Sequence, residues 1–183
     1  MKRKLLILSV LAICLATLAA GTIAYFNSEG KAHNVITTGG VEITVQEWAD
    51  EAKTAPFEDL TGVMPNTTVT KIAEIKNTGT SDAWVRVKVE KNIKLQGEGT
   101  PDTSLVELTR SANHWTEKDG YYYYTKPLKP GEVTAPIFTA VTFNANMGNE
   151  YQNATATVDV FAQAVQTANN GATVMDAQGW PRA

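Results

Sequence analysis

The chain has 183 residues, 16 Lys and Arg against 19 Asp and Glu, and a formal net charge of −3. Lys2, Arg3 and Lys4 are clustered at the start, so the rest of the chain is more acidic still. That balance argues against nucleic acid or an anionic membrane surface as partner, since both require a basic patch. Cys14 is the one cysteine, so no disulfide can form within the chain, and stability must come from a buried core.

The first segment reads as an export signal. Lys2–Lys4 form a basic start, and Leu5 to Ala20 is apolar and uncharged. Thr22 and Ala24 are small residues at the −3 and −1 positions of a signal-peptidase site, so cleavage is expected between Ala24 and Tyr25. The apolar run, about 16 residues, is short of the roughly 20 that span a bilayer. A lasting membrane anchor is therefore the weaker reading, and membrane contact is expected only through the uncleaved signal. Ile13 before Cys14 is too large for a lipoprotein signal, so Cys14 reads as part of the apolar segment.

Residues 25–40 follow as a polar arm or strand, with Tyr25 and Phe26 at its start and Val35 and Ile36 near its end. From Val41 the pattern is that of β structure. Val41, Ile43 and Val45 alternate with Glu42, Thr44 and Gln46. Val69–Lys76 and Ala83–Ile93 are predicted strands, joined by the turn-rich stretch Asn77–Asp82 and expected to pair as a hairpin. Val85, Val87 and Val89 fall on one face, predicted as core. Leu105, Leu108 and Ala112 sit at helical spacing and predict a short helix in 104–113. Asp119-Gly120 between Trp115–Lys118 and Tyr121–Lys126 predicts a tight hairpin. Strands are expected again at 135–143 and 153–165. In the last of these, Ala154, Ala156, Val158, Val160 and Ala162 are expected inside, with Thr155, Thr157, Asp159 and Gln163 outside. Residues 166–183, rich in Asn, Gly and Ala, read as a flexible, loosely packed tail. The organisation expected is a signal peptide (1–24, its apolar segment helical), an arm (25–40), one sandwich domain (41–165) and the tail (166–183). Short strands at regular spacing indicate an all-β fold, a β-sandwich of jelly-roll or immunoglobulin-like connection.

No catalytic constellation is evident, so no enzyme activity, metal or cofactor is expected. His33 and His114 lack ligand neighbours at metal-site spacing and read as exposed polar residues. Glu42, Glu47, Asp50, Glu51, Glu58 and Asp59 lack the spacing of a calcium loop and read as a solvated acidic face. Tyr121–Tyr124 could stack sugars, but alternation sends Tyr121 and Tyr123 one way and Tyr122 and Tyr124 the other, so packing is the expected role.

Several stretches together carry a resemblance. They are Gly21-Thr22-Ile23-Ala24-Tyr25-Phe26-Asn27, Asn34–Gly39 with Val41-Glu42-Ile43, Met64-Pro65-Asn66-Thr67, Ile75–Val87, Leu128–Glu132 and Phe143–Ala154. The chain resembles the TasA/camelysin family of Gram-positive bacteria, whose signals are cut by a SipW-type signal peptidase. The resemblance implies a jelly-roll domain secreted to the cell surface or biofilm matrix. It implies a homo-oligomeric fibre built by donor-strand exchange, with the freed arm from Tyr25 to about Thr38 completing a neighbour's sheet. Tyr25, Phe26, Val35 and Ile36 would supply its side-chain contacts. Camelysin-like members carry the label of metallopeptidase, and no metal motif here matches that label. A secreted metallopeptidase and a carbohydrate- or surface-binding module are the alternative readings.

Overall fold

The computed structural model describes residues 40–58 and 64–181, all within the compact unit His33–Ala183. The expected signal peptide with its helix, and the arm to residue 39, lie outside the described residues. Among the described residues there are eight strands: β1 Ile43–Trp48, β2 Thr67–Asn77, β3 Ala83–Lys94, β4 Val106–Arg110, β5 Trp115–Lys118, β6 Tyr121–Tyr124, β7 Phe138–Phe143 and β8 Thr155–Gln166. They form two antiparallel four-stranded sheets, ordered β1-β2-β7-β4 and β5-β6-β3-β8. The chain is all-β in character, and the two sheets enclose one main core in the manner of a β-sandwich.

Alternation explains which residues fill that core. Ile43 and Val45 on β1 meet Ala73 and Ile75 on β2, while Val85 and Val87 on β3 meet Ala162 and Ala164 on β8, all fully buried or nearly so. Val89 joins them in part, as the sequence pattern predicts. Phe138, Val106 and Leu128 fill the remaining volume. The predicted Asp119-Gly120 hairpin is present, with φ of 53° and 77° at the two positions. Paired positive φ angles match a two-residue turn to the twist of the flanking strands.

Five expectations need correction. β2 and β3 do not pair: β2 lies between β1 and β7, and β3 between β6 and β8. The 78–82 loop carries the chain from one sheet to the other. Asn77, fully buried, organises that crossing: its amide donates to the Ser81 carbonyl at 2.9 Å and the Leu128 carbonyl at 2.8 Å. Its side-chain oxygen accepts from the Gly79 amide at 2.9 Å. Gly79 lies so close to β1 that a Cβ there would sit 2.6 Å from the Glu42 nitrogen. The helix expected in 104–113 is absent. Asp102 caps a single 3-10 turn, Thr103–Leu105, and the chain then extends as β4, where Leu108 is paired with Val141. Alternation of Val106 and Leu108 there overrides the helical spacing.

The tail is also packed rather than loose. Val174 and Ala177 are buried, and with Trp180 they pack on Trp84, Tyr123 and Val165 in a second apolar cluster outside the sandwich core. The Trp84 indole donates to the Asn170 carbonyl at 3.1 Å. Residues 167–181 are therefore a strap over the outer face of the second sheet. This strap also explains Gln163, expected outside yet only 6% exposed. The Arg86 guanidinium donates to the Gln163 side-chain oxygen at 2.7 Å and lies over the rings of Tyr121 and Trp180. Ala156, expected inside, is exposed, one residue from the start of β8, although its partner Ile93 is buried.

Candidate functional site

Two features of the described residues go beyond packing: an open strand edge, and a buried charge cluster beside the β1–β2 pair. The edge is the free side of β8. All twelve of its residues, from Thr155 to Gln166, pair with β3 in one continuous register without a bulge. Among the described residues no strand pairs with its other side. Soluble proteins blunt such edges with Lys, Pro, bulges or very short strands. β8 reads Thr-Ala-Thr-Val-Asp-Val-Phe-Ala-Gln-Ala-Val-Gln, with no Lys, no Pro and one charge, Asp159. It is also long, about 40 Å at roughly 3.3 Å per residue. β1 is the edge of the opposing sheet and lies against β8.

The other three edges differ. β4 and β5 are short, at five and four residues. β1 is partly covered at its end by the following loop, where the Phe57 amide donates to the Glu47 carbonyl at 3.0 Å and Trp48 bridges Pro56.

The charge cluster grows from the same loop. Glu47 continues the alternation of Ile43 and Val45 and so turns to the interior side of β1. It meets Lys71 at 2.8 Å, and their side chains are only 12% and 9% exposed. The Lys71 ammonium also lies 4.0 Å from the centre of the Phe57 ring. Glu74, buried, accepts from the Trp48 indole at 2.9 Å and forms an ion pair with Lys53. The expected solvated acidic face is thus corrected at Glu47, which is in a buried pair because β2 presents Lys71 to it. Glu42, Glu51 and Glu58 are exposed as expected, and Asp59 lies outside the described residues.

Asp50 shapes the loop rather than a ligand site. Its carboxylate accepts from the Thr54 amide at 2.9 Å, the Thr54 hydroxyl at 2.8 Å and the Ala55 amide at 2.8 Å. Those bonds, the Thr54 amide foremost, hold its carboxyl below the usual carboxylate range. A cavity of about 280 Å³ lies against this loop, lined by Val45, Gln46, Glu47, Trp48, Pro56 and Phe57. Among the described residues no group of three or more His, Cys, Asp or Glu is placed to hold a metal ion. His114 is exposed, with its ring edge-on to Tyr124 at 6.1 Å, while His33 lies outside the described residues.

The tyrosine strand splits as alternation requires. Tyr124 joins the main core and Tyr123 the second cluster, while Tyr122 lies under the Arg110 guanidinium at 4.3 Å. Tyr121 and Tyr123 lie against Arg86, and Tyr123 also meets Trp180 of the strap edge-on. Ala24, Tyr25, Phe26, Val35 and Ile36, the residues assigned to cleavage and strand donation, all lie outside the described residues. Sequence reasoning did not single out β8 as an acceptor. The signal was there, in an Ala/Val/Thr-rich run without Lys or Pro. No family model matches the chain, and neither the curated proteins nor the solved structures yield a match.

Proposed function

We propose that the protein is an exported structural subunit of the cell surface or extracellular matrix. Copies join by strand addition: the arm from Tyr25 to Thr38 of one subunit pairs along the free side of β8 in the next. The observation that carries this reading is the long, unguarded β8 edge. An extended segment there adds main-chain hydrogen bonds, each worth about 0.5–1.5 kcal/mol net, and buries alternate side chains such as Val35 and Ile36.

The connectivity supports a jelly-roll. β2-β7-β4 and β6-β3-β8 follow the order of two interleaved Greek keys. In a closed jelly-roll the first strand would pair with the last. Here β1 pairs with β2, and among the described residues no strand takes the place beside β8. A donor from another copy makes a head-to-tail contact, which propagates as a filament when it does not close into a ring. Export follows from the signal-like segment, with a SipW-type signal peptidase freeing Tyr25 as the new N-terminus.

Two proteins test the assembly: one beginning at Tyr25, one at Gly40. The first is expected to form filaments by electron microscopy and light scattering. The second is expected to stay monomeric and folded, and to bind a free Tyr25–Thr38 peptide. Thr155→Lys with Asp159→Lys, which places charge along the β8 edge, is expected to suppress filaments while leaving the melting temperature unchanged. Equal filaments from both truncations, or filaments indifferent to the two lysines, would refute strand addition at β8.

A further inference from the structure

The strap is held by a chemically unstable dipeptide. Asn170-Gly171 is the one Asn-Gly step in the chain. The Asn170 side chain acts as a small section of strand: its oxygen accepts from the Gln178 amide at 2.8 Å, and its nitrogen donates to the Gln178 carbonyl at 3.0 Å. The Asn170 carbonyl is also the acceptor for Trp84. Gly171 is equally constrained. Its φ is +76°, and a Cβ there would lie 2.9 Å from the Asp176 carbonyl carbon. The strap's geometry thus requires Asn followed by Gly, the sequence in which a backbone amide most readily attacks a side-chain amide, because glycine offers no steric hindrance.

We propose that Asn170-Gly171 is a site of spontaneous, one-way deamidation that unlatches the strap from the outer face of the second sheet. The Gly171 nitrogen attacks Cγ of Asn170. The Cγ–Nδ2 bond breaks, and ammonia leaves carrying the Gly171 amide proton. One water then opens the cyclic imide. Attack at Cγ yields aspartate, and attack at the backbone carbonyl yields isoaspartate. The net change is amide plus water to carboxylate plus ammonium, with no redox partner. Aspartate replaces the Nδ2 donor with a carboxylate oxygen facing the Gln178 carbonyl, whereas isoaspartate routes the main chain through Cγ and one extra carbon, and turns the backbone carbonyl that accepts from Trp84 into the free carboxylate.

Opening of the strap gates the reaction. While both ends of the Asn170 amide are bonded to Gln178, Cγ cannot turn toward the Gly171 nitrogen. Each transient opening permits attack, and each conversion disfavours reclosure, so the strap works as a ratchet. Trp180, edge-on to Tyr123 at 6.0 Å and 4.6 Å from the Arg86 guanidinium, is its clasp. This inference is independent of the assembly reading.

The test incubates the chain beginning at Tyr25 at mildly alkaline pH, beside a synthetic peptide of residues 167–178, with isoaspartate at position 170 quantified by peptide mapping. The folded chain is expected to convert about tenfold more slowly than the peptide, because local opening limits it. Trp180→Ala is expected to approach the peptide's rate while its core amides stay protected from hydrogen exchange. Converted protein, and Asn170→Asp made directly, are expected to lose protection at the Gln178 amide and the Trp84 indole. No conversion in either folded protein while the peptide converts, equal rates with and without Trp180, or conversion that leaves those two protons protected would each overturn the proposal.

Discussion

Lys71→Met tests the buried charge cluster. The change keeps most of the aliphatic stem and removes the ammonium that sits 2.8 Å from Glu47. With side-chain exposures of 9% and 12%, neither partner has much water to fall back on. A buried carboxylate deprived of its ion-pair partner typically costs about 3–5 kcal/mol. Domains of this size have a total stability of about 5–15 kcal/mol, so the loss is a large fraction of it. It corresponds to a fall in melting temperature on the order of 10 °C, at roughly 2–4 °C per kcal/mol. The loss of the Phe57 contact, 4.0 Å from the ammonium, adds in the same direction.

The assay is urea unfolding of Lys71→Met, Glu47→Gln and the double variant, read by tryptophan fluorescence with the slope checked for constancy. Because the penalty belongs to a largely buried Glu47 charge that loses Lys71 rather than to the lost attraction, the double variant is expected to recover most of what Lys71→Met loses. A Lys71→Met cost below about 1 kcal/mol, the range of exposed pairs, would refute the burial argument. A double variant no more stable than Lys71→Met would refute the claim that the Glu47 charge, left without Lys71, causes the loss.

Two further outcomes follow from single positions. Val87, fully buried between Ala162 on β8 and Tyr122 on β6, is expected to tolerate no charge. Val87→Asp should abolish the cooperative melt and the dispersed amide spectrum, and a native-like spectrum would refute the core assignment. Asp50 has its carboxyl lowered by bonds from Thr54 and Ala55, so its contribution is present above the unfolded carboxylate value of about 3.9 and is lost as pH falls through the lower folded value. An acid titration of the Thr54 and Ala55 amide shifts is expected to show a midpoint below the ordinary range, absent in Asp50→Asn. A midpoint at or above that range would contradict the bonding.

Much of the β structure was legible because it rests on local pattern. Alternation in Ile43–Val45 and Val85–Val89 locates strands and their inner faces, and Asp119-Gly120 marks its own turn. Partner choice is not local. The run Val69–Ile93 fits a hairpin as well as a crossing between sheets, and the deciding agent is one buried side chain, Asn77, which bonds to Leu128, 51 residues away in sequence. The strap was missed for a related reason. Val174, Ala177 and Trp180 recur at intervals of three in a stretch of Asn, Gly and Ala, too sparse to indicate an element. They matter only because Trp84, Arg86 and Tyr123 present an apolar outer face to receive them.

β8 brings these observations to bear on one strand. Its inward residues Val160, Ala162 and Ala164 belong to the core, its outward Gln163 and Val165 lie among Arg86 and the strap, and no described strand pairs with its other edge. Strand addition at the edge uses backbone groups that point in the plane of the sheet, toward neither face. Unlatching the strap changes only an outer face. A donor strand can therefore seat with the strap closed, and a deamidated strap does not remove a single edge hydrogen bond. If both proposals hold, they are additive to within the few tenths of a kcal/mol typical of sites without shared partners. Coupling beyond that would mean that the strap reaches across the β8 edge and guards it, the one arrangement in which the absence of Lys and Pro from that edge would need no donor to explain it.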